Sequence, residues 1–304
     1  MPGDALHLDM AIRIMVSRHS AFYSPLICSI AAGFLEKEGL QATYSILGKG
    51  ERSHALIRDG LVDIMQSAVS SNWQLIERGE APLPVHFAQI NRRDGFFLVG
   101  REVDPSFEWK RLEGKTLLAD HGRQPLVMLQ YAVHYNGADW EKIRVVDLGP
   151  PNEMETAFRG GTGDYVHLQA PAPQQLEQDR IGRTVASVGE SMPPVAFSSL
   201  CASGEFVRSS AFQSFLRAYV NAKGWINQAA PDEIAAKEAS FFPGINAQAL
   251  VAAVARYQAV GCWIGGIEIP RDLYEQALNV FERAGEITRR HAYAAVCLVP
   301  SSSD

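Results

Sequence analysis

The stretch SRHSAFYSPLICSIAAGFLEKEGL, residues 17 to 40, reads as the point where a buried strand hands over to a ligand-facing helix. Before it, Met10-Ala11-Ile12-Arg13-Ile14-Met15-Val16 is apolar and partly β-branched, long enough for a buried strand and too short for a committed helix. After it, Tyr23, Leu26, Ile27, Ile30, Ala31, Phe34 and Leu35 recur at the three-and-four spacing of one helical face. Gly39 supplies a residue that takes positive φ past the helix, and Leu40 opens the next extended run. Arg18, His19, Ser20, Phe22 and Tyr23 lie between strand and helix. In open α/β sheets such a corner binds ligands, because free backbone N–H groups and the helix dipole favour an anion there. A polar, aromatic and basic corner suits an organic anion better than a bare metal ion.

The same stretch carries a family resemblance. Pro25 and Leu26, then Ala31-Ala32-Gly33-Phe34-Leu35-Glu36-Lys37-Glu38-Gly39-Leu40, resemble the opening of the NMT1/THI5-like and SsuA-like group of type II periplasmic-binding-protein folds. That group includes sulfonate, nitrate and pyrimidine solute-binding proteins of ABC transporters, and a few enzymes on the same scaffold. The resemblance implies an α/β chain in two lobes, each a mixed sheet flanked by helices, with a ligand cleft between the lobes.

Composition agrees with a globular chain. At 304 residues it is long enough for two lobes with cores of their own, and 47% apolar with 20% charged residues leaves no case for disorder. A formal charge of −6 with no dense basic run argues against nucleic acid as a partner. Met1-Pro2-Gly3-Asp4 has no basic n-region and no long apolar h-region follows, so the expectation is a cytoplasmic chain as it stands, or a periplasmic one whose signal peptide has been removed. Cys28, Cys201, Cys262 and Cys297 form no CxxC pair, which reads as buried reduced thiols, and the histidines show neither HxH nor HExxH. No metal and no cofactor is expected.

Along the chain, Leu61-Val62-Asp63-Ile64 after Gly60 and Gly163-Asp164-Tyr165 after Gly161 occupy the same place in two βαβαβ runs. Such a repeat argues for two similar lobes facing across a cleft. The expected division is residues 1–97 plus 198–304 as lobe I and 98–197 as lobe II. Ser67-Ala68-Val69-Ser70-Ser71 follows the third strand, where its hydroxyls either cap the next helix or donate to an anion. Arg92-Arg93 stands at the first crossover, beside Gly95 and two aromatics, as a planar fork for carboxylate or sulfonate. Leu112-Glu113-Gly114-Lys115-Thr116-Leu117-Leu118-Ala119 resembles the family's entry strand into the second lobe, followed by His121-Gly122-Arg123-Gln124 and by Pro125 at a helix start. Gln169-Ala170-Pro171-Ala172-Pro173 matches the family's cleft-lining loop, with Gln169 where an aromatic or acidic residue is usual.

The first functional reading is a solute-binding protein that clamps a small organic anion. Its polar contacts are His19, Ser20, Ser67, Ser70, Arg93, His121, Arg123 and Gln169, with Phe22 and Tyr23 as apolar wall; an ABC permease is the implied partner, and a monomer suffices. The second reading is an enzyme on the same scaffold. The pyrimidine synthases of thiamin biosynthesis carry a cofactor lysine after the third strand and a Cys-rich motif, whereas here Gln66-Ser67-Ala68 stands without a cysteine cluster. The aryl-sulfinate desulfinases resemble the chain at Arg93-Asp94-Gly95-Phe96-Phe97, but Ser20 holds the place of their nucleophilic cysteine, and serine needs a base such as His19 to take its proton. A third class, a ligand sensor, would need a partner protein for its output.

Overall fold

The computed structural model describes residues 10–120 and 122–298, with Arg123 described in its backbone only. The apolar run forms β1 (Met10–Val16), whose alternate residues Ile12, Ile14 and Val16 are buried. A 3-10 turn at Ala21–Tyr23 leads into α1 (Ser24–Ala31). The spacing predicts one helix through Leu35, but Gly33 takes a φ of 75° and divides it, leaving α2 (Phe34–Lys37) as a separate turn. Gly39, at φ 71°, then delivers β2 (Leu40–Ile46) parallel to β1.

β3 (Ile64–Ser67) pairs parallel on the other side of β1, reached through α3 (Ser53–Arg58). α4 (Val69–Glu77) leads to β4 (Val85–Asn91), and residues 92–95 cross to β5 (Phe96–Gly100) of a second sheet. That sheet is built from β6 (Thr116–Leu118), α5 (Arg123–Tyr135), β7 (Arg144–Val146), α6 (Pro151–Arg159), β8 (Tyr165–Gln169), α7 (Ala172–Gln178) and β9 (Arg183–Ser187). β10 (Ser198–Ala202) returns to the first sheet, and α8 (Ser210–Ile226), α9 (Pro231–Glu238), α10 (Ala247–Val260) and α11 (Arg271–Arg283) complete the described chain. Pro125 is the third residue of α5, not its first; Gly122 is the cap, its N–H held by the Asp120 carboxylate.

The two sheets share one plan, with orders β2-β1-β3-β10-β4 and β7-β6-β8-β5-β9. In each, one strand arrives by crossover from the other sheet, β10 or β5, and runs antiparallel to both neighbours. β2 and β3 pair parallel on either side of β1, as β7 and β8 do on either side of β6, joined through helices, while the edge strands β4 and β9 pair only with β10 and β5. This is the α/β two-lobe fold of type II periplasmic binding proteins. Helices α1, α2 and α8 pack together against the first sheet, and α7 meets α10, so the C-terminal helices contact both lobes. No described helix is long and apolar enough to cross a membrane. Cys28, Cys201, Cys262 and Cys297 are free and buried.

The crossovers run side by side. The Val195 N–H donates to the Arg92 carbonyl and that of Phe197 to Asn91, while Arg93 Nη1 donates to the Gly189 carbonyl at 2.7 Å. Two glycines permit this approach: a Cβ at Gly95 would stand 2.4 Å from the Phe22 ring, and one at Gly189 would stand 2.2 Å from the Asp94 carbonyl oxygen. Because the second obstacle is backbone, a side chain there forces the segments apart. Gly189→Ala is expected to destabilise the protein by about 1–3 kcal/mol, the usual range for overpacking, and a urea midpoint equal to that of wild type would show that the crossovers tolerate separation.

Candidate functional site

Between the lobes lies a cleft with a cavity of about 160 Å³, room for a benzene-sized body. It sits where the opening stretch leaves β1, at the carboxyl end of a strand. Ser17 and Arg18 reach it from that exit, and Tyr23 from the turn that follows. Gln66 and Ser67 end β3, and Ser70 and Gln74, one turn apart on α4, present hydroxyl and amide to the same space. The second lobe contributes Phe96, Gln124 and Gln169.

Hydrogen bonds order much of this wall. Gln66 Oε1 accepts from the Ser17 backbone at 3.0 Å and from its hydroxyl at 2.7 Å, which fixes the exit of β1. Two contacts cross the cleft: the Arg18 guanidinium pairs with Asp120 after β6, and the Ser70 hydroxyl donates to Gln124 Oε1 at 2.7 Å. Gln124 also donates to the Phe197 carbonyl on the return crossover. One buried acceptor of the wall, Gln74 Oε1, lacks a partner, and the Gln169 amide faces the Tyr23 hydroxyl. None of the described lining residues is a thiol or an imidazole. The described wall offers amides, hydroxyls, aromatic faces and one guanidinium, groups that recognise a polar or anionic ligand.

The residues expected from sequence divide into three sets. Tyr23, Ser67, Ser70 and Gln169 line the cleft. His19, Ser20, Phe22 and Arg93 do not. The His19 ring bonds the Tyr44 hydroxyl at 2.9 Å and the Phe241 carbonyl at 2.7 Å and stacks on Phe242, with burial holding its pKa below the ordinary value. The Ser20 hydroxyl caps the following turn and donates to the Ala170 carbonyl at 2.7 Å, so it forms no pair with His19. Phe22 is wholly buried against Phe197 and Tyr257 and forms no ligand wall. Arg93 spends its guanidinium on the neighbouring crossover. His121 lies outside the described residues, and of Arg123 only the place at the start of α5 is described.

Arg18, Gln66, Gln74, Phe96 and Gln124 were missed. Arg18 was legible as the first basic residue past β1, and Gln74 follows Ser70 by one helical turn. Gln124 carried no such signal, because its partner Ser70 is 54 positions away.

Burial sets the electrostatics around the site. Desolvation raises the Tyr23 hydroxyl to about 12, with nearby Arg18 acting against it. Behind the cleft, His167 stacks on Phe96 with centroids 4.4 Å apart, and burial, aided by Arg18, lowers it to about 3. Asp94 accepts the Phe96 N–H through Oδ1, leaves Oδ2 without a partner, and is raised by burial to about 8. Glu238, buried beside the Ser24 hydroxyl at 3.0 Å and the Cys28 thiol, is also raised by desolvation to about 8.

The family model described as NMT1/THI5 like matches residues 21–234. The chain belongs to the NMT1/THI5-like family. Among its relatives is YtlA of Bacillus subtilis (strain 168), named as a candidate binding protein, 24% identical over 289 residues, which span 93% of this chain and 86% of YtlA. The fold of this NMT1/THI5-like chain is similar to that of the alkanesulfonate-binding protein SsuA from Xanthomonas axonopodis pv. citri bound to MOPS, with a TM-score of 0.71 and 15% identity, covering 95% of this chain and 98% of that one. It is similar also to the periplasmic aliphatic sulphonate binding protein SsuA from Escherichia coli, with a TM-score of 0.72 and 15% identity, covering 97% and 94%.

The two raised carboxyls of this NMT1/THI5-like protein make its stability pH-dependent. Unfolded, they lose their protons near the ordinary values of 3.8 and 4.5; folded, they keep them to about 8. Their contribution is thus complete below the unfolded values and declines as pH rises through the folded ones. Urea unfolding at pH 5 and pH 8.5 should show a decline that shrinks in Asp94→Asn and in Glu238→Gln; an undiminished decline in both would mean that these groups ionise normally.

Proposed function

We propose that this protein is a solute-binding protein that clamps a small organic anion between its two lobes for ABC-type uptake. In this reading the lobes divide at the crossovers; β5, pairing along its whole length in the second sheet, moves Phe96 and Phe97 from the expected lobe I to lobe II, the return to lobe I stays at Ser198, and a permease is the partner. The observation that carries it is Arg18: a guanidinium on the cleft wall, among serine hydroxyls and glutamine amides, with Tyr23 and Phe96 as aromatic faces. A planar fork of N–H donors suits a carboxylate or sulfonate. The anion would exchange for Asp120, the carboxylate that pairs with Arg18 across the cleft. Gln74 Oε1, without a partner, would hold the polar remainder of the ligand. Contacts from both lobes then favour the closed arrangement to the extent that the ligand binds it better than the open one.

Two candidate nucleophiles of the enzyme reading are engaged elsewhere, which favours the binding reading. The Ser20 hydroxyl is committed to Ala170, and the Cys28 thiol lies buried beside Glu238, its pKa pushed up by desolvation.

A thermal-shift screen against aryl and alkyl sulfonates, sulfinates, carboxylates, nitrate and pyrimidines, with mass spectrometry of each hit after incubation, tests both readings. A stabilising anion recovered intact supports solute binding, whereas a chemically altered one overturns it in favour of an enzyme. For an anionic hit, Arg18→Ala should weaken binding about tenfold or more, as loss of a charge-assisted pair does. Arg93→Ala should leave the Kd within about twofold, since its side chain is outside the cleft. The reverse ranking would move the anion to the crossover.

A further inference from the structure

A larger cavity, of about 480 Å³, lies between α3 and α4 of the first lobe. Its floor is apolar, with Ile57, Leu75 and Cys201 nearly buried. Its rim carries charge of both signs, but the carboxylates are already engaged. Glu80 pairs with Arg78 at 2.8 Å and with His54 at 2.9 Å, and Glu51 folds back to accept the Gly48 N–H at 2.6 Å. The Arg52 side chain, on the same rim, feels the charge of Glu80 yet makes no hydrogen bond or ion pair within 4 Å among the described residues, its carbonyl alone being engaged, by the N–H groups of Ala55 and Leu56.

An unpaired guanidinium above an apolar floor matches one kind of molecule, an acid with a single charge and an apolar body. A dianion would have to compete with Glu80 for Arg78, and a cation would meet Arg52 and Arg78 at the mouth. We propose that the cavity between α3 and α4 is a second binding site, for a small aromatic or branched organic monoacid whose acid group rests on Arg52. Its apolar body covers Ile57, Leu75 and Cys201. Ser67 and Ser71, joined through their hydroxyls at 3.1 Å, line both this cavity and the cleft and form the partition between them. Arg52, Ile57, Leu75 and Cys201, which carry the proposal, line this cavity and not the cleft, so it does not depend on what the cleft binds.

Anilinonaphthalene sulfonate, an apolar monoanion whose fluorescence reports burial, is the probe. Titrated into the full chain it should give a saturable phase that belongs to this cavity. Arg52→Glu should raise its Kd at least about tenfold, as reversal of a paired charge would. Ser53→Trp, which fills the cavity from its wall without changing charge, should abolish the phase. Arg18→Ala, which alters only the cleft, should leave it unchanged. Circular dichroism and the urea midpoint of each variant establish that it is folded. The proposal is overturned if wild type shows no saturable phase, if either Arg52→Glu or Ser53→Trp binds the dye as wild type does, or if Arg18→Ala alone removes the phase.

Discussion

The buried hydroxyl of Tyr257 holds the two lobes in register. It accepts the Ala170 N–H and donates to the Gly95 carbonyl, both at 2.9 Å, and the residue has no exposed surface. The Ala170 carbonyl in turn takes the Ser20 hydroxyl, and the Phe22 carbonyl takes the Trp263 indole N–H at 3.0 Å. Four separate parts of the chain thus meet at one point: the exit of β1, the first crossover, the end of β8 and the C-terminal helices. Each such bond is worth about 1 kcal/mol net, but an orphaned buried partner costs about 1–3 kcal/mol. The groups are therefore coupled, and the lobes cannot shift at this point without leaving several of them unpaired.

That junction decides what the opening corner does. A strand end beside a helix start offers several polar and aromatic side chains, and the fold divides them. Those facing the junction, Ser20 and Phe22, become packing and capping groups, and His19 turns away to the loop after α9. Those on either side of them, Arg18 and Tyr23, stay on the cleft wall. The division follows from space: Phe22 fills the volume left by Gly95, so its neighbours in sequence are directed outward from it.

The cleft itself is a surface of amides and hydroxyls with its cation already balanced. Arg18 and Asp120 neutralise one another across the lobes, and Ser70 and Gln124 add an uncharged bond beside them. A ligand must replace these interactions with better ones, which makes selectivity depend on geometry and hydrogen bonding more than on net attraction. Around this wall, unpaired ionisable groups such as His167 and Asp94 are kept neutral by burial.

The sequence by itself determined the elements and their pairing into two similar halves. The apolar run before Ser17, the turn at Gly39 and the repeated helix-stop and acidic strand-start at Gly60 and Gly161 are local signals, set by side-chain period and by which residues accept positive φ. Even there, Gly33 divided a helix that its apolar spacing makes continuous. Ser67 and Ser70 were legible because a loop at a strand end must face the cleft, and Tyr23 because it adjoins it. Only the tertiary structure decided that Arg18 and not Arg93 lines the site, that Gln124 answers Ser70, and that Ser20 and Phe22 serve the junction. The physical reason is that each of these roles is a contact between segments remote in the chain, and the direction of a side chain in a loop is set by the partner it meets, not by the residues beside it.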